Sequence, residues 1–170
     1  LKSRFLVWDK SDIKSITPHQ KEMWFDIYNN DLFEDRGYDI TFMDVDDVNK
    51  LYEQFKQDYF DYLDSLKEND EFVCYVVYEM DDMFVSQARI MLKENRYYIE
   101  GLETHRELYR KGYGSTLIKY LEEEASKRGI KELYANAYNQ NIPSIETFLS
   151  LGYKEVKTEV KNRICMKKDL

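Results

Sequence analysis

Cysteine, proline and glycine are scarce in this chain of 170 residues, with two Cys, two Pro and six Gly. Two cysteines, Cys74 and Cys165, cannot make a disulfide framework. That points to a reducing compartment and a cytoplasmic setting, with both thiols buried in apolar strands. So little Pro and Gly excludes collagen-like and low-complexity chains. No apolar run approaches the ~18 residues of a membrane helix, so no membrane partner is expected. The opening stretch LKSRFLVWDKSD turns charged at once, and a signal peptide is not expected there. His19 and His105 stand far apart with no Cys or His at ligand spacing, so no metal is expected. Positive charge is outnumbered: 25 Lys+Arg face 33 Asp+Glu, a net of -8. Without a clustered basic face, nucleic acid is not the expected partner.

What is present suits one soluble globular domain over residues 1–170, with 43% hydrophobic and 34% charged residues. The charge is unevenly placed. Asp26 to Asp82 holds 18 acidic and four basic residues, a net of -14, and the rest of the chain carries +6. That split is compatible with an anionic ligand on one half and a cationic ligand on the other. Solvated helix surface is the plainer account of such a run.

Arg4 to Trp8 is a short β-forming run and reads as an edge strand. Asp9, Ser11 and Asp12 offer helix caps. Gln20 to Tyr28 places Met23, Trp24, Ile27 and Tyr28 on one helical face, and Asp31 to Gly37 reads as a loop. Asp44 to Lys67 carries Val48, Leu51, Phe55, Tyr59, Tyr62, Leu63 and Leu66 at three- and four-residue steps, a long amphipathic helix. Three strands follow as a meander: Phe72 to Tyr78, Phe84 to Leu92 and Arg96 to Thr104. Then come a helix from Gly114 to Arg128 closed by Gly129, a strand from Lys131 to Tyr138, and a short helix from Pro143 to Leu151. A hairpin of Tyr153 to Val160 and Asn162 to Lys168 ends the chain. The fold class is mixed α/β (α+β): a central mixed, mostly antiparallel sheet flanked by helices, in the order β-α-α-β-β-β-α-β-α-β-β.

The stretch Tyr98 to Gly114, YIEGLETHRELYRKGYG, is the chemically informative one. A strand runs into a glycine-bearing loop that opens a helix. The first helical turn has free amides and the positive end of the macrodipole, so it suits an anion. Gly112 and Gly114 admit a phosphate close to the backbone, and Arg110 and Lys111 add positive charge. No third Gly completes a dinucleotide fingerprint, and no Walker A loop is present. Asp44, Asp46 and Asp47 lack the Gly and Glu of a calcium loop.

Leu102-Glu103-Thr104, followed by Tyr109-Arg110-Lys111-Gly112-Tyr113-Gly114-Ser115, resembles the acetyl-CoA site of the GNAT N-acetyltransferases. Asn141 to Phe148 and Leu151-Gly152-Tyr153 are similar to that family's second signature. The resemblance runs over nearly the whole chain. It implies an acetyl-CoA-dependent enzyme, an N-acetyltransferase, with acetyl-CoA as co-substrate. Leu102, Glu103, Thr104, Tyr109, Arg110, Lys111, Gly112, Tyr113, Gly114, Ser115, Asn141, Ser144 and Phe148 would contact it. Two positions depart from the pattern. Tyr109 stands where the family has Gln or Arg, and Phe148 stands where many members carry a Tyr that protonates the departing thiolate.

The implied chemistry is direct transfer to a primary amine, with a small-molecule or peptide amine as partner; a homodimer is compatible with it. The amine must lose a proton to a base. In a regular strand Glu100 shares a face with Tyr98, Leu102 and Thr104, which makes it the expected base, with Glu103 second and turned the other way unless a bulge intervenes. A backbone amide near Leu102 or Glu103 would hold the oxyanion. With no acid at Phe148, either another group such as Tyr138 or Tyr153 serves, or solvent does, or activity is weak. The acidic run favours a cationic acceptor, with Tyr59, Tyr62, Trp24 and Phe25 as aromatic faces for an ammonium group. The alternative is a CoA-binding sensor or interaction module that lost its acid.

Overall fold

The computed structural model describes residues 2–170. A seven-stranded sheet in the order β1-β2-β3-β4-β5-β7-β6 is covered on both faces by helices. Strand β1 (Ser3–Trp8) pairs antiparallel with β2 (Phe72–Met80) as an edge. β3 (Met83–Lys93) and β4 (Arg96–Thr104) complete the meander. β5 (Glu132–Tyr138) is the one strand that joins parallel, along β4, and β7 (Arg163–Asp169) lies beside it. The expected closing hairpin is corrected in length. β6 covers only Lys154–Val156, because the stretch after it leaves the ladder before β7 begins.

Between β1 and β2 lie α1 (Lys10–Ile13), α2 (Pro18–Tyr28), α3 (Leu32–Asp35) and α4 (Val45–Ser65). The loop expected over 31–37 instead contains α3, which turns Leu32 fully into the core. α2 starts at a capping box: Thr17 Oγ1 accepts from Gln20 N and Gln20 Oε1 from Thr17 N. Its buried residues are Trp24, Phe25 and Ile27. With Leu63 and Leu66 at the far end of α4 they pack on Tyr75, Val77 and Phe84 of the sheet.

The opposite face carries α5 (Tyr113–Lys127) and α6 (Ile142–Ser150). Leu117, Ile118, Leu121 and Ala125 of α5 lie on Val76, Ala88, Ile90, Ile99, Leu133 and Ala135. The helix ends in a Schellman turn: Ile130 N donates to Ala125 O and Gly129 N to Ser126 O, with Gly129 at φ +80. Strands β2 and β3 are therefore buried on both sides, which accounts for their near-continuous apolar sequence. Cys74 and Cys165 are free and buried, and burial pushes the Cys74 thiol up to about 11. Among the described residues, no helix is long and apolar enough to cross a membrane.

Candidate functional site

The site forms where the sheet comes apart. β4 and β5 pair over only Tyr98↔Tyr134 and Ile99↔Ala135, and both strands run on, to Thr104 and Tyr138, without pairing further. Parallel strands that diverge leave unpaired backbone groups facing the gap. On its other edge, β4 stays hydrogen-bonded to β3, and His105 N donates to Val85 O. Alternation along an extended strand then turns the amides of Leu102 and Thr104 towards the gap.

β4 also carries a bulge. Glu100 opposes Arg89, but Glu103 opposes Gln87, so β4 holds one residue more than β3 in between. Gly101 sits there at φ +67, a left-handed conformation that a side chain resists. A Cβ at Gly101 would also run into the Arg89 guanidinium. The bulge reverses the expected faces. Leu102 packs on the α5 side, and Thr104 Oγ1 meets Ser86 Oγ at 3.2 Å. Glu100 and Glu103 both end on the α2–α4 side, so Glu100 does not share a face with Leu102 and Thr104.

The two glutamates differ in their company. Glu100 is bound by cations, with Lys93 Nζ at 2.7 Å and Arg89 Nη2 at 3.5 Å. The Arg89 guanidinium is itself mostly buried, donating to Tyr75 Oη at 3.3 Å and lying 5.2 Å from the Tyr62 ring centre. Glu103 has no ion-pair partner among the described residues. Burial, helped by the neighbouring charges of Asp35 and Asp31, raises its carboxyl to about 7 from an ordinary 4.5. A carboxylate poised near neutrality suits proton transfer at physiological pH.

On the other face, α5 begins at Gly112, φ +81, with no side chain capping it. Its first internal bond runs from Thr116 N to Gly112 O, which leaves the preceding amides to whatever lies in front of them. By contrast, Thr17, Asp44 and Asn141 cap α2, α4 and α6 with their side chains. Arg110, also left-handed at φ +63, and Lys111 are exposed on the loop before α5. A Cβ at Gly112 would meet nothing within 4 Å, so this glycine borders open space. Gly114 differs: its Cβ would stand 3.4 Å from Thr104 Oγ1, so it allows α5 to approach β4. An uncapped helix start, left-handed turns and basic side chains are an arrangement that suits a phosphate.

The sequence profile of the acetyltransferase (GNAT) family matches residues 20–153. The chain belongs to this family. Among solved structures, a PaiA N-acetyltransferase from Thermoplasma acidophilum in complex with coenzyme A superposes with a TM-score of 0.65. Its identity is 15%, with 100% of each chain covered. An acetyltransferase from Thermus thermophilus gives 0.64 at 16% identity, covering 100% of this chain and 98% of its own. The ribosomal-protein-S18-alanine N-acetyltransferase of Escherichia coli gives 0.58 at 13%, covering 98% and 94%. At such identities the likeness is one of fold. No curated protein sequence matches the chain.

Against the acetyltransferase fold, the other expected residues fall as follows. Tyr113 and Ser115, half-buried, begin α5. Asn141 caps α6, its side-chain oxygen accepting from Ser144 N at 3.3 Å. Tyr109 stands 46% exposed on the loop that leads into α5, its phenol raised by burial and by Glu103 and Asp31. Phe148 lies in the core, 4% exposed, with its ring edge-on to Tyr153 at 5.1 Å. Tyr153 is buried as well and donates to Glu122 Oε2 at 2.8 Å, which removes it as an acid. Trp24 and Phe25, each 1% exposed, are core and offer no face to an ammonium group, whereas Tyr59 and Tyr62 are only partly covered. Tyr138 stands exposed at the open end of β5, its Oη receiving a hydrogen bond from Arg163 Nη2 at 3.1 Å.

Proposed function

We propose that this acetyltransferase moves the acetyl group of acetyl-CoA directly to a primary amine on a cationic acceptor. The carrying observation is Glu103, held by the Gly101 bulge beside the β4–β5 gap, without a cation and raised to about 7. Acetyl-CoA, as substrate, supplies the activated acyl group. The amides of Gly112 to Ser115 take its pyrophosphate, with Arg110 and Lys111 as counter-charge. Glu103 accepts one proton from the acceptor's ammonium group, and the neutral amine nitrogen that results bonds to the acyl carbon. The Leu102 amide donates to the oxyanion that forms. Tyr138 protonates the sulfur as the C–S bond breaks, Arg163 on its oxygen stabilises the phenolate, and the phenolate takes back the second proton that the nitrogen sheds as the neutral amide forms.

The acceptor side is acidic. Asp31 and Asp35 act on Glu103, and Tyr59 and Tyr62 supply partly exposed aromatic faces. A cleft of one charge sign concentrates the opposite sign, an effect that weakens with salt. The test is release of free thiol from acetyl-CoA against matched cationic and anionic amines at low and high salt. The expected result is a preference for cationic amines that shrinks as salt rises. A preference for the anionic amines would overturn the acceptor assignment. Tight CoA binding with no thiol release for any amine would favour a non-catalytic CoA-binding module.

A further inference from the structure

The segment joining α3 to α4 exposes apolar side chains that a lone domain normally covers. Tyr38 is 44% exposed, Ile40 41%, Phe42 95% and Val45 71%. All four lie within eight residues, and the turn that presents them is well tied. Tyr38 N donates to Phe33 O at 2.9 Å and Met43 N to Ile40 O at 3.2 Å. Thr41 donates to Asp39 Oδ1 through both its amide and its hydroxyl, at 2.9 and 2.6 Å. Tyr38 rests against Phe55 with ring centres 5.5 Å apart. Phe42 is thus held out at the tip of an ordered turn, forgoing the burial free energy that a folded chain ordinarily collects. Contiguous exposed apolar residues with a polar surround mark interaction sites.

That surround has one sign. Between Asp31 and Asp47 stand seven carboxylates and one cation, Arg36, and the cation is already paired with Asp58 at 3.2 Å. At the near end of the same stretch, Asp31 and Asp35 raise Glu103. The apolar turn and the acceptor side of the site are therefore joined through α3.

We propose that the Tyr38–Val45 turn is a docking surface for a basic polypeptide that carries the acceptor amine. This rests on the proposed transfer to a cationic amine and narrows its acceptor. A small amine has no surface to cover Phe42 and Val45, whereas a chain with apolar residues among lysines covers both and meets the carboxylates around them. A second copy of this protein fits less well. Turn against turn would oppose carboxylates across the contact.

The experiment uses the full chain and two probes, lysine amide and a 12-residue peptide of Lys, Leu and Phe with a free N-terminus. The expected result is that Phe42→Ser/Val45→Ser lowers kcat/KM for the peptide about tenfold or more. Lysine amide turnover, CoA affinity and Tm should stay unchanged. Peptide binding without acetyl-CoA, read by fluorescence anisotropy, should weaken by the same factor. Equal peptide binding by the wild type and the double variant overturns the docking surface, whatever the chemistry does. Equal binding of a peptide with Glu in place of Lys overturns it too. Self-association that disappears in the double variant overturns it by assigning the turn to a second copy. Variant-sensitive peptide binding with no transfer to either probe supports the docking surface and overturns the transfer reading instead.

Discussion

Replacing Glu103 by Gln should stabilise the protein, and by an amount that grows with pH. The carboxyl is held near 7 in the folded chain against an ordinary 4.5 when exposed, chiefly because burial disfavours its charge. Between those values the folded state binds more protons than the unfolded state, so its stability falls as pH rises through that window. Each unit between the two values corresponds to about 1.4 kcal/mol, which makes the full penalty about 3 kcal/mol above pH 7. Below pH 4.5 the penalty vanishes. At pH 5 it amounts to roughly 1 kcal/mol or less. A glutamine stays neutral throughout and escapes it. For a chain of this size a kilocalorie moves Tm by about 2–4 °C, so the gain is roughly 6–12 °C at pH 8 and about 2 °C at pH 5. Thermal unfolding of both proteins at the two pH values gives the comparison. The difference between the two gains is the quantity that matters, because any pH-independent effect of the amide cancels. An equal gain at both pH values, or none at pH 8, would refute the account of a buried carboxyl without a counter-charge.

Activity should move the opposite way. Glu103→Gln is expected to lower kcat/KM about 100-fold or more and to remove a limb rising through pH 7, while Glu100→Gln keeps that limb; stopped-flow thiol release across pH 5.5–9 separates them. Gly112→Ala should weaken CoA binding at least tenfold by calorimetry, because a side chain strains the left-handed turn, φ +81, that opens α5, and Lys111→Ala should cost only a few-fold. Tyr138→Phe should lower kcat about tenfold or more with little change in KM for the acceptor, measured by steady-state kinetics; an unchanged kcat would remove the phenol from the reaction.

The fold was legible in the sequence wherever one period ran long enough. Leu117, Ile118, Leu121 and Ala125, ending at Gly129, marked α5, and the Phe72–Leu92 stretch marked two strands buried on both faces. The glycine-bearing turn that opens α5 was legible too, and Gly112 stands there in a left-handed conformation. The face of Glu103 was not. Strand alternation is a local rule, and a single bulged residue at Gly101 reverses it. The helix α3 was hidden because four residues are too few to show a period. The burial of Phe148 was not legible either, because a motif position says nothing of packing, and here the ring lies against Tyr153.

The seam between β4 and β5 has a mechanical consequence. The meander and the β5–β7 unit share a sheet through only two residue pairs, so a force or fluctuation that separates them meets little hydrogen-bonded resistance. Their cohesion comes from α5 and α6, which lie across the join on one side. A molecule lodged in the gap would act as a rivet between the halves. Amide exchange at Tyr134 and Ala135 is then the sensitive gauge, slowing more on addition of coenzyme A than exchange in β2 or β3. In this architecture, filling the gap completes the sheet.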